Sequence, residues 1–176
     1  MRAASEGSFS ERLEEANAAY RAATRPLLER HDAFELIRDE MRAGKSSPFL
    51  LVLSHPYPRR VELLPELVHT ACSGRPVPMA LATDLIRTLP KSAVEQLIVS
   101  DLERLVEGMT VDEVEQLVSV VIELGLPSAI ERIRSYARHG SDDMQSLADR
   151  IDGVELDPAA WRLSRKERRG QRPQAD

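Results

Sequence analysis

The residues with the widest chemical range in this chain are four histidines and a single cysteine. His31-Asp32 is an adjacent His–Asp pair, but a metal-dependent phosphohydrolase site would also need a metal-binding histidine upstream, and none precedes His31. A polar helix surface or cap is the reading that remains. Glu66-x-x-His69 has the spacing of a carboxylate-bridged di-iron ligand pair. Such a site takes two copies plus two further carboxylates, and the chain has one copy. A solvated helix face therefore fits it better.

His69 and Cys72 lie one helical turn apart, and His55 is close in sequence. Together they are the best start of a ligand- or metal-binding site, yet zinc needs three or four ligands in tetrahedral array. Cys72 is expected as a buried small hydrophobe, the usual fate of a free cysteine. As a nucleophile it would lack any identifiable oxyanion donor or orienting acid. There is no Gly-rich phosphate loop, no G-x-S-x-G elbow and no H-E-x-x-H pair. No catalytic residue, metal site or cofactor is assigned, and the sequence leans away from an enzyme.

Charge is the next source of function. The net charge is −5, unevenly distributed. Residues 1–90 balance at 12 basic and 12 acidic side chains, residues 91–156 carry 6 against 14, and residues 157–176 carry 6 against 3. The acidic stripe Glu103, Glu107, Asp112, Glu113 and Glu115 surrounds one inter-helix turn and is the candidate partner-binding surface, electrostatically suited to a basic protein. The acidic middle would repel phosphates. The basic tail, Arg162, Arg165, Lys166, Arg168, Arg169 and Arg172, is the alternative nucleic-acid contact. It lacks the interleaved aromatics of a stacking platform, and solubilising the chain or docking onto the acidic stripe are its other uses.

The elements that must carry these residues are helices. Aromatic residues make up 4% of the chain, so the core must come from Leu, Val, Ile and Ala, which suits helix-on-helix packing. Residues 1–7 are expected to be disordered. Capping boxes are expected at Ser8/Glu11, Ser92/Glu95 and Thr110/Glu113, with Ser141 capping a further helix. The first helix should run from about Glu11 and end or kink near Thr24 or Arg25, because Pro26 follows. A second should run from there to Arg42 and stop at Gly44. Phe49 to Leu53 reads equally as a buried strand or a short helix. From residue 59 the apolar spacing predicts paired helices, 59–73 with 77–89, 91–108 with 111–124, and 127–138 with 142–152. After Gly153 the apolar period is lost; Asp157-Pro158 offers the start of a short helix in which Trp161 is the one large apolar side chain, and 157–176 is otherwise expected as a basic, mostly disordered tail.

Prolines at 58, 90 and 127 punctuate those pairs at intervals of 32 and 37 residues, the spacing of stacked helical hairpins. Val121-Ile122-Glu123-Leu124-Gly125-Leu126-Pro127-Ser128-Ala129-Ile130 resembles the Leu-Gly-x-Pro-x-Ala-Ile junction of HEAT-like repeats. Ser141-Asp142-Asp143 stands where that family often has an Asp-rich turn. The resemblance is best over residues 121–152. Residues 59–120 share only helix length and apolar spacing with the family, and 8–45 do not match it. The resemblance implies a short α-solenoid, with a compact helical bundle as the other all-α arrangement.

The sequence thus leads to an all-α helical domain over residues 8–156, with an N-terminal helical hairpin at 8–45 and paired-helix repeats at 59–152. The leading function is a non-enzymatic interaction module for a protein partner, an inhibitor or immunity-type protein being one form. No stretch reaches the ~20 apolar residues a membrane span needs, so no membrane role is expected. With one cysteine and no apolar N-terminal segment, a cytoplasmic setting is expected.

Overall fold

A computed structural model describes residues 8–55, 57–154 and 156–171, with the side chains of 168–171 left aside. Among these residues the chain is all-α, with ten α-helices and no strand. They are α1 (Phe9–Leu28), α2 (Ala33–Arg42), α3 (Ser47–Ser54), α4 (Leu64–Cys72), α5 (Pro76–Arg87), α6 (Lys91–Val106), α7 (Val111–Leu124), α8 (Pro127–Arg138), α9 (Asp142–Gly153) and α10 (Pro158–Gln171). A 3-10 turn, Arg60–Leu63, leads into α4. The expected disorder of 1–7 lies outside the described residues.

Local capping chemistry sets several of these starts. Ser8 and Glu11 form a reciprocal capping box at α1, and Thr110 and Glu113 form one at α7. The box expected at Ser92/Glu95 is absent: α6 begins at Lys91 behind Pro90, with no side-chain cap. Glu95 instead accepts a hydrogen bond from the Ser128 backbone N–H at 3.0 Å, at the start of α8. A carboxylate there meets both a free N–H and the positive end of a helix dipole, so tertiary capping wins over local capping. Ser141 stands at the N-cap position of α9, but its side chain makes no cap bond.

Pro26 does not end α1, which continues to Leu28. Proline frees the carbonyl four residues back, here that of Ala22, and Ala22 is exposed, so solvent can satisfy it. The break falls instead at residues 29–32. Phe49 to Leu53 resolves as helix, in α3, with Pro48 in its first turn and Phe49 and Val52 buried.

The core is one continuous cluster from Phe34 to Trp161, built almost wholly of aliphatic residues. Helix α4 packs on α5 and α2, and α6 packs on α4 and α8. The pairs α4–α5 and α8–α9 expected from the sequence do pack as hairpins. In the third pair, α7 packs chiefly on α4, α8, α9 and α10 rather than on α6. Nine of its fourteen residues are buried, Glu115 and Ser119 among them.

The helix offered at Asp157-Pro158 forms and runs further than expected, Pro158–Gln171, docking on α7, so the mostly disordered reading of the tail is corrected over those residues. Trp161, 1% exposed, supplies the apolar anchor, and its indole N–H donates to Ser119 Oγ at 2.9 Å. The lost apolar period misled because one large side chain was enough to hold a short amphipathic helix in place.

Gly125 ends α7 in the left-handed conformation, φ 65°, with open space where a side chain would go. Gly125→Ala should therefore cost backbone strain alone, about 1–2 kcal/mol, read as a lowered midpoint in chemical denaturation with an unchanged slope.

Candidate functional site

The structure scatters the residues that could have done chemistry. Asp32 is held by Arg30 through two hydrogen bonds of 2.8 Å, which keep its carboxyl at about 2, so it serves that arginine rather than His31. His55 is buried and its Nε2 lies 2.8 Å from Thr24 Oγ1, tying the end of α3 to α1. His69 is exposed on α4. Cys72 is buried, and burial pushes its thiol up to about 12, with Glu113 raising it further and Arg165 opposing. Among the described residues no group of three or more His, Cys, Asp or Glu side chains is placed to hold a metal.

The acidic stripe does not form a single face. Glu115 is buried, 4% exposed, so it is not part of a partner-binding surface. It accepts from Arg150 of α9 at 2.7 Å and lies 3.5 Å from Arg165 of α10. Arg165 also donates to Ser119 and Gln116, and the Arg150 guanidinium sits 5.7 Å from the Trp161 ring centre. This clasp joins α7, α9 and α10. Glu103 is exposed but paired with Arg132 of α8, and Glu113 is half-buried in its capping box. Glu107 and Asp112 are exposed at the α6–α7 turn.

The basic tail is divided in the same way. Arg165 is drawn into the clasp, and Arg162 reaches Glu123 of α7 at 3.4 Å. Lys166 is exposed and lines, with Arg162, Cys72, Asp112 and Glu113, a recess between α10 and α7. Arg168 and Arg169 fall on α10, but their side chains lie outside the described residues, as does Arg172.

Sequence reasoning missed a large concave feature among the described residues. A solvent-open cleft of about 840 Å³ lies between α2, α4 and α6, lined by Arg38, Arg42, Glu62, Glu66, His69, Arg75, Arg104 and Glu113 among others. Its three carboxylates are all engaged. Glu66 is buried and accepts from Arg42 at 2.5 Å, with Arg38 at 3.9 Å. Glu62 holds Arg59 at 2.6 Å, and Glu113 caps α7. Arg75 and Arg104 are exposed at the rim. Arg75 lies across Gly44, whose φ of +74° suits glycine and whose missing side chain makes room for the guanidinium. The cleft is thus arginine-rich within a chain whose overall charge is negative. The sequence carried no sign of it, because these residues, from Arg38 to Glu113, come from segments far apart in the chain.

No family model, curated protein or solved structure matches this chain. No helix among the described residues is long and apolar enough to cross a membrane.

Glu115→Ala would leave two part-buried arginines around a lost counter-charge, and should destabilise the fold by about 3 kcal/mol, the lower end for a broken buried pair, in denaturant titration. Cys72 should resist a thiol reagent at pH 8 in the folded protein, where its thiol stays protonated and covered. It should react in full once the chain is unfolded. Rapid labelling of the native protein would contradict the burial.

Proposed function

We propose that this protein is a non-enzymatic protein-interaction module, a short HEAT-like stack of helical hairpins that receives an acidic segment of a protein partner in the α2–α4–α6 cleft. The observation that carries this reading is the cleft itself, with Arg75 and Arg104 exposed at its rim and its carboxylates already engaged. Small-molecule sites are mostly apolar and enclosing. A wide, open and charged cleft suits a polypeptide segment, whose carboxylates the planar guanidinium groups bind in bidentate fashion. The succession α4, α6, α8, each packed on the next, supports the stacked-hairpin description.

The opposite polarity, a basic partner on the acidic edge, keeps less support. Glu115 is interior and Glu103 is spent on Arg132, which leaves Glu107 and Asp112 as its exposed contacts. An inhibitor or immunity-type role would fit either polarity.

Display of a peptide library of unbiased composition against the purified protein separates the two, and Glu/Asp-rich peptides should be selected. Peptides selected by the native chain should bind at least about tenfold more weakly to the Arg75→Glu/Arg104→Glu variant, and more weakly in high salt. They should be indifferent to Glu107→Lys/Asp112→Lys. Selection of basic peptides that depend on Glu107 and Asp112 would reverse the assignment.

A further inference from the structure

Helix α1 is a 20-residue helix with no buried residue. A helix this exposed draws little stability from its own protomer, since most helical stability in proteins comes from packing an apolar face. It nevertheless carries such a face. Phe9, Leu13, Ala16, Tyr20, Ala23 and Leu27 follow alternating spacings of four and three, the heptad seam of a coiled coil. Phe9 is 82% exposed, Leu13 51%, Tyr20 40% and Leu27 51%. The C-terminal half of the seam continues into an apolar groove of about 340 Å³, where Tyr20 and Leu27 face Leu36, Ile37, Pro48 and Leu51 of α2 and α3.

We infer that the occupant of this face is α1 of a second copy of the chain, running antiparallel about a twofold axis at the level of Ala18. Two observations select that occupant. The first is steric. In the antiparallel register Leu13 falls opposite Ala23, Tyr20 opposite Ala16, and Phe9 opposite Leu27, beside the groove. Each middle layer sets a large side chain on a small one, which lets the backbones approach closely. The flanking positions, Ser10, Asn17 and Thr24 on one side and Ala19 and Pro26 on the other, are small or uncharged, with Arg12 the exception.

The second observation is electrostatic. The first half of α1 carries Glu11, Glu14 and Glu15 against Arg12, and the second half carries Arg21 and Arg25, the latter paired at 2.9 Å with Glu29 at the helix C-cap. Antiparallel pairing lays each acidic half beside a basic half and opposes the two helix dipoles. Parallel pairing would place like halves together. The interface is isologous, the commonest form of homodimer contact.

Sedimentation equilibrium on the full chain should show a monomer–dimer equilibrium. Leu13→Glu should weaken it by about a hundredfold, because it buries an uncompensated charge in the seam. Leu13 is exposed within the protomer, so the variant should keep the native helical circular dichroism spectrum. The register is read separately. An Ala19→Cys variant should form a disulfide-linked dimer under mild oxidation, since the two copies of position 19 flank the axis. Ala16→Cys should cross-link poorly. A monomer at every concentration, a dimer unaffected by Leu13→Glu, or preferential cross-linking through position 16 would each overturn the inference.

Discussion

Glu115 sits in the middle of α7, buried, with an arginine from α9 on one side and an arginine from α10 on the other. A charge removed from water is tolerated only when paired and hydrogen-bonded. That requirement fixes where α9 and α10 can lie. Ser119, one turn along, serves the same purpose: its hydroxyl accepts from both Trp161 and Arg165. Two polar residues on the buried face of α7 therefore bring in the last two helices of the described chain. Stability is not the only consequence. A purely aliphatic core of Leu, Val, Ile and Ala specifies packing loosely, whereas a buried ion pair accepts few alternative arrangements.

The same economy of charge shapes the outer surface. Many of the carboxylates that looked available for a partner tie one helix to another: Glu103 to α8, Glu123 to α5 and α10, Asp152 to α8, and Glu95 to the first turn of α8. Exposed pairs of this kind each contribute little, roughly 0–1 kcal/mol. Their collective effect is on function, because an engaged carboxylate presents less field to an incoming protein. The arginine rim of the α2–α4–α6 cleft is the converse case, where the carboxylates are used and two guanidinium groups still reach solvent.

The two proposed contacts are physically separate and different in kind. The cleft is polar and electrostatic, so its affinity should respond to salt. The seam of α1 is apolar, so its association should respond chiefly to the loss of an apolar side chain. A dimer through α1 would give two copies of the cleft per assembly, and with them the gain in effective concentration that a multivalent partner can use.

Much of the fold was legible in the sequence by itself. Apolar periodicity located the helices from residue 59 to 152, glycine at 125 and the capping pairs Ser8/Glu11 and Thr110/Glu113 marked boundaries, and the low aromatic content pointed to an all-α core. These are local signals, decided within one or two helical turns. What needed the tertiary structure was every role that depends on a distant residue. Glu95 had a sequence partner in Ser92 and took Ser128 instead. Glu115 stood in an acidic stripe and proved interior, and Trp161 stood alone in a polar segment and anchored a helix. In each case the deciding term was desolvation or hydrogen bonding to a group more than 30 positions away in the chain, and only folding sets which groups lose water and which partners they meet.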